Sequence, residues 1–357
     1  MDERLALITP QLDDTGFDQA DMIVEAVFEN MAVKQAVFAQ LDTIAKPDCV
    51  LATNTSSLDI DQIAHVARRP HMVIGLHFFS PANVMKLVEV VPGKATAPQV
   101  LATAFAVTKR LNKIGVWAGN THGFIGNRMM HEYVREAELL VEDGASIEDV
   151  NQTLFDFGMA MGPLAMEDLV GIDIMWRIRD QAPSHPTQTH HSHSQSKALV
   201  RKPVLMERLF ALHRYGQKNG KGWSKYDENR KASSDPEVVA LIEATAQEIG
   251  ITRRAVSPQE IIDRCILALV NEGAKILEEG MALRAVDIDM VYLNGYGFPA
   301  WRGGPMFYAD TIGLPQVLAR IREFEAEHGS ALWKPAALLV QLAESGNTFS
   351  EYDKSRS

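Results

Sequence analysis

The stretch Met72-Val73-Ile74-Gly75-Leu76-His77-Phe78-Phe79-Ser80-Pro81, continued by Ala82-Asn83-Val84-Met85-Lys86-Leu87-Val88-Glu89-Val90-Val91, decides how the first third of this chain folds. Met72 to Phe78 and Leu87 to Val91 are nearly unbroken apolar runs, of the length that suits a buried strand. Working towards the N-terminus, Met22-Ile23-Val24-Glu25-Ala26-Val27 and Cys49-Val50-Leu51-Ala52 are runs of the same kind. Between them Val33, Val37, Phe38 and Leu41 recur at helical spacing until Pro47-Asp48 closes the helix. A short helix near Ile60 to Val66 precedes Met72, and one from about Pro98 to Leu111 leads into the strand Gly115-Val116-Trp117. Such alternation predicts an α/β region, a parallel sheet covered by helices.

From Gly123 onward the period changes to that of helices. Ile125, Met129, Tyr133, Ala137 and Leu140 trace one face of a long helix, and a second helical block starts near Pro258 with Ile262, Ile266, Leu269, Ala274 and Leu277. The two blocks read as an internal repeat. Glu136 through Glu142-Asp143-Gly144 parallels Glu272 through Glu278-Glu279-Gly280, and Gly162-Pro163 with Asp168-Leu169-Val170-Gly171 parallels Gly304-Pro305 with Asp310-Thr311-Ile312-Gly313. In that register Asn127-Arg128 falls on Asp263-Arg264, so the copies are not functionally equivalent. The expected organisation is a sheet domain over 1–120, a first helical domain over 121–220 and a second over 221–357. The insert 183–197 is rich in His, Ser, Thr and Gln. His185, His190, His191 and His193 have no acidic or cysteine partner nearby, so a mobile polar linker is the expectation and not a metal site.

A chain of 357 residues has room for two or three cores, and 46% hydrophobic with 23% charged residues is ordinary for a globular protein. The net charge of −11, with both signs mixed along the chain, argues against a nucleic-acid or anionic-membrane surface. No apolar run approaches bilayer-crossing length, so membrane insertion is not expected. Cys49 and Cys265, each inside an apolar segment, read as buried thiols. Met1-Asp2-Glu3-Arg4 is not the basic start of a signal peptide, and Lys354-Ser355-Arg356-Ser357 is not the usual peroxisomal address, so a cytoplasmic location is expected.

His77 ends one expected strand, where catalytic groups gather in open α/β sheets, and Glu89 lies within the next. Antiparallel or crossing strands would bring Glu89 to one ring nitrogen of His77, leaving the other to work as a general base. Ser56, at a strand end, and Asn127, opening a helix, read equally well as caps.

Asn54-Thr55-Ser56-Ser57-Leu58, Gly75-Leu76-His77-Phe78-Phe79-Ser80-Pro81, Leu87-Val88-Glu89-Val90 and Gly123-Phe124-Ile125-Gly126-Asn127-Arg128 occur in this order. Together they closely resemble the 3-hydroxyacyl-CoA dehydrogenase family, particularly the dehydrogenase portion of multifunctional fatty-acid oxidation enzymes. The likeness runs to about Gly346, and the two helical copies look like the multifunctional branch, where a second unit substitutes for a dimer partner. The resemblance implies NAD as cofactor and a (3S)-3-hydroxyacyl-CoA substrate, with thiolase and enoyl-CoA hydratase as partner enzymes. His77 is then the base that takes the 3-hydroxyl proton, Glu89 its orienting carboxylate, and Ser56 and Asn127 the substrate's hydrogen-bond donors. Val27, Phe28, Glu29, Lys34, Ser56 and Ser80 match cofactor-contacting positions, although many relatives carry Asn where Ser80 stands. Asn294 replaces a tyrosine tied to substrate in some relatives, so that role is not carried over.

A complete domain of this kind opens with a strand, a Gly-x-Gly-x-x-Gly turn and a helix whose amides hold the pyrophosphate. No such glycine cluster stands before Met22, and Met1 to Leu7 resembles the family's chain after that first unit. The expectation is therefore an N-terminally truncated chain with an incomplete Rossmann-type sheet, exposed edges, very weak NAD affinity and impaired turnover. The alternative, from a different class, is a non-catalytic acyl-CoA-binding or assembly module derived from that enzyme.

Overall fold

Five short apolar runs form one sheet in the order β1-β2-β3-β4-β5: β1 Met22–Glu25, β2 Val50–Thr53, β3 Val73–Phe78, β4 Leu87–Pro92 and β5 Ile114–Trp117. Helices α1 Met31–Ile44, α2 Ile60–Ala64 and α3 Pro98–Arg110 accompany them. The computed structural model describes residues 5–181 and 201–356, without the side chains of 180 and 181. The expected His-rich linker, 183–197, lies outside the described residues. The chain divides into two units, Met1–Phe124 and Ile125–Ser357.

In the first unit β1 pairs parallel with β2, β2 with β3, and β4 with β5. The sheet is not wholly parallel as expected, because β3 and β4 run antiparallel. The reason lies in the connection. Residues 79–86 contain no helix, and a parallel return needs a crossover of a dozen residues or more, whereas an antiparallel return does not. Val50, Ala52, Ile74, Leu76, Val88 and Val90 build the core with Val100 and Ala104 of α3. Each fully buried Val, Ile or Leu among them contributes about 1.5–3 kcal/mol. Strand β1 is an edge, and around it Val24, Val27, Phe28 and Val33 are exposed. Asn30 caps α1 by accepting from the Val33 amide, which fixes where the loop after β1 turns into helix.

The second unit is helical: α4 Gly126–Asp143, α5 Ile147–Phe157, α6 Pro163–Val170, α7 Ile172–Gln181 and α8 Leu205–Ala211, then a two-stranded ribbon, β6 Lys225–Tyr226 with β7 Ala232–Ser233. After it come α9 Pro236–Glu248, α10 Pro258–Glu278, α11 Ala285–Gly295, α12 Pro305–Ile312, α13 Leu314–His328, α14 Ser330–Trp333, α15 Ala337–Ser345 and α16 Phe349–Ser355. The long helices α4 and α10 of the two copies pack against each other along buried apolar faces. Across that contact the copies exchange arginines. Arg128 donates to Glu272 (Nε, 2.6 Å) and Glu279, and Arg264 donates to Glu136 (Nε, 2.9 Å) and Asp143. Each arginine thus lands on the corresponding pair of acids in the other copy, the pattern of a two-fold interface inside one chain.

Other devices recur at matching places in the two copies. Asn151 accepts from the amides of Leu164 and Ala165 at the start of α6, and Asp289 from those of Met306 and Phe307 at the start of α12. Glu142 accepts from the Val204 amide and Glu278 from that of Leu338. In the second copy three carboxylates close a ring: Asp289 of α11 caps α12, Asp310 of α12 takes the amides of Phe349 and Ser350 that open α16, and Asp353 of α16 takes those of Ala285 and Val286 that open α11. Both cysteines are buried and unbridged. No helix among the described residues is long and apolar enough to cross a membrane.

Candidate active site

The antiparallel register of β3 and β4 sets His77 directly opposite Glu89, so the two side chains leave the same face of the sheet. His77 Nδ1 lies 2.7 Å from Glu89 Oε2. The carboxylate is wholly buried and the imidazole is 6% exposed, packed on the rings of Phe79 (centroids 4.3 Å) and Phe124 (5.9 Å). An ionised carboxylate can only accept, so it draws the proton to Nδ1 and leaves a lone pair on Nε2. Burial keeps the pair from being screened by water. That is the arrangement of an oriented general base.

A second cluster forms where the parallel strands β1 and β2 end. Glu29, in the loop after β1, accepts from Thr55 Oγ1 (2.7 Å), the Ser56 amide (2.8 Å), Ser56 Oγ (3.1 Å) and Ser57 Oγ (3.3 Å). Burial works against its charge, but the hydrogen bonds from Thr55 and Ser56 and the nearby Lys34 ammonium hold its carboxyl below the ordinary range. Lys34 is buried, its Nζ 2.8 Å from Glu25, 3.4 Å from Glu29 and 3.3 Å from the Val27 carbonyl. Glu25 also accepts from the Val27 amide and Thr53 Oγ1. Asn54 Oδ1 accepts from the Phe78 amide, tying the end of β2 to the end of the strand that carries His77.

Val27, Glu29, Lys34 and Ser56 are therefore brought together, with Phe28 turned to solvent beside them, while Ser80 is exposed just past β3. Exposed apolar surface at Val27 and Phe28, next to the hydroxyls of Ser56 and Ser57 at strand ends, fits the nucleoside part of a dinucleotide. Lys34 fits it less directly, since Glu25 and Glu29 engage its ammonium. Asn127 opens α4 in the second unit, where its Oδ1 accepts from Tyr296 Oη at 2.7 Å. Sequence reasoning missed Glu25 and Tyr296. A carboxylate inside the apolar run Met22 to Val27 was a usable signal for Glu25, because an acid buried in a strand needs a cation. Nothing local marks Tyr296.

The profile of the 3-hydroxyacyl-CoA dehydrogenase NAD binding domain matches residues 1–121, and that of the C-terminal domain matches 123–226 and 261–352. The human protein named peroxisomal bifunctional enzyme is 43% identical over 331 residues, covering 92% of this chain and 46% of that protein. The cucumber glyoxysomal fatty acid beta-oxidation multifunctional protein MFP-a is 35% identical over 98% of this chain and 47% of its own length. The chain thus spans about half the length of these relatives. Among solved structures, 3-hydroxybutyryl-CoA dehydrogenase from Escherichia coli K12 superposes with a TM-score of 0.78 at 26% identity, covering 98% of this chain and 86% of that one. The dehydrogenase part of multifunctional enzyme 1 from C. elegans gives 0.63 at 31% identity, covering 92% and 71%.

Proposed function

The chain belongs to the 3-hydroxyacyl-CoA dehydrogenase family, and on that premise we propose that it carries the NAD-dependent oxidation of a (3S)-3-hydroxyacyl-CoA to the 3-oxoacyl-CoA, a step of fatty-acid beta-oxidation. The observation that supports this most strongly is the 2.7 Å contact between His77 Nδ1 and the buried Glu89 carboxylate. His77 Nε2 takes the proton of the substrate's 3-hydroxyl, and Glu89 holds the ring in the required tautomer and stabilises the imidazolium that forms. Asn127, and Ser56 once its hydroxyl turns from Glu29, donate hydrogen bonds to the reacting oxygen or the thioester carbonyl, favouring the geometry of transfer. NAD, when bound, supplies the acceptor for the hydride leaving C3. Val27, Phe28, Glu29, Ser56 and Ser80 hold that cofactor, and Lys34 acts on it by fixing Glu29.

The division into a sheet domain, 1–120, and helical domains, 121–220 and 221–357, belongs to the same reading and is supported by the recurrence of the Asn151/Asp289 and Glu142/Glu278 devices. Thiolase and enoyl-CoA hydratase are the partner enzymes this chemistry calls for. The named relatives are peroxisomal or glyoxysomal; tagging the protein and locating it distinguishes those compartments from the cytoplasm expected from sequence. The deciding assay supplies 3-hydroxybutyryl-CoA with NAD and follows NADH. Slow turnover, with NAD weakly held, is the expected result. Binding of the thioester without turnover supports the non-catalytic module instead.

A further inference from the structure

We propose that Tyr296 is a positioning residue that sets the amide of Asn127 for the substrate, an inference that rests on the assignment of Asn127 to substrate binding. The phenol of Tyr296 donates to Asn127 Oδ1 at 2.7 Å. A primary amide has one accepting and one donating end. Engaging the oxygen fixes the flip of the group and directs Nδ2, the end able to donate to a carbonyl or a developing oxyanion, away from the tyrosine.

The phenol is itself held in place. Its ring stacks on Tyr292 (centroids 4.9 Å, interplanar angle 21°), which is buried and donates to the Gly126 carbonyl at 3.3 Å. A Cβ on Gly126 would come within 2.4 Å of the Tyr296 ring, so the glycine before Asn127 is what lets the ring approach. Two tyrosines from the second helical copy thus clamp the first turn of the helix that presents Asn127. The same two rings line a small apolar hollow with Met130, Met159, Met161 and Met166. The second copy therefore does more than complete the packing. It supplies the group that orients a substrate contact of the first.

The test compares the full chain with Tyr296→Phe, Asn127→Ala and the double variant, titrating each with acetoacetyl-CoA and with CoA, and following reduction of acetoacetyl-CoA by NADH. Tyr296→Phe removes one oxygen and keeps the stacking. It is expected to weaken acetoacetyl-CoA binding or lower kcat roughly three- to tenfold, the scale of one hydrogen bond, while CoA affinity and the melting midpoint stay unchanged. Added to Asn127→Ala it is expected to cost nothing more. Losses that multiply in the double variant, an unaffected Tyr296→Phe protein, or an equal loss for CoA would each overturn the proposal. An Asn127→Ala protein with intact acetoacetyl-CoA binding and turnover would instead sink the assignment of Asn127, and the positioning role with it.

Discussion

His77 gains its proposed role from one neighbour, so the two should fail together when changed. Replacing His77 with Gln is expected to lower kcat roughly 10²–10⁴-fold, the span of general-base contributions, with thioester affinity preserved. Glu89→Gln keeps the shape of the contact and removes its charge, and should lower kcat in the same assay with little change in KM. If Glu89→Gln is as active as the parent, Glu89 only fills the core. Lys34 offers a different test, since it sits between Glu25 and Glu29 with a side chain 1% exposed. Lys34→Met strands a buried carboxylate and is expected to destabilise the first unit by about 3–5 kcal/mol, read by urea denaturation. A loss of NAD affinity at unchanged stability would mean that its ammonium contacts cofactor directly. The His77–Glu89 contact was legible because two residues twelve apart, on short neighbouring strands, have few ways to pair. The Tyr296–Asn127 bond spans 169 residues and depends on how the helices pack, so no local pattern announces it.

Secondary elements repeat the same lesson with mirrored parts whose surroundings differ. Arg264 and its acceptor Glu136 are fully buried, whereas Arg128 is partly exposed, its acceptor Glu279 is half open, and Lys275 also pairs with Glu272. Arg264→Ala should therefore cost about 3–5 kcal/mol and Arg128→Ala about 1 kcal/mol in paired denaturation curves. Equal losses would show that symmetry of sequence outweighs burial. The helix caps allow a pH test. Burial raises the Asp289 carboxyl to about 7, against the pull of the Met306 and Phe307 amides and with help from Asp310 and Asp353. In the unfolded chain it ionises near 4. Between roughly pH 4 and 7 the folded chain holds a proton the unfolded one has lost, so this group makes stability fall as pH rises through that window and leaves it lower above it. Asp289→Asn reproduces the chemistry that Asn151 already provides in the first copy. It should keep α12 capped and narrow the difference in stability between pH 6 and pH 8. The helical faces and the repeat were readable from spacing. The antiparallel turn of β4 was readable only from the missing crossover, a feature of what lies between the strands.

At the scale of the molecule, the change from strand runs to helical spacing near Gly123 marked where the sheet unit ends, and the structure divides at Phe124 and Ile125. The second unit holds its long apolar helices and its reciprocal arginines within itself. Residues 121–357 expressed alone should then melt in one cooperative transition by calorimetry, and a broad, non-cooperative trace would show that the unit leans on the sheet. What spacing could not reveal is which acid serves which helix, because Asp289, Asp310 and Asp353 each lie on a different helix from the amides they take. The three capped helices α11, α12 and α16 form a loop without a weakest member: no one of them can fray first without stripping another of its anchor. Amide hydrogens of Ala285, Val286, Met306, Phe307, Phe349 and Ser350 ought then to exchange with solvent at one shared opening energy, as three strands of a knot come loose together or not at all.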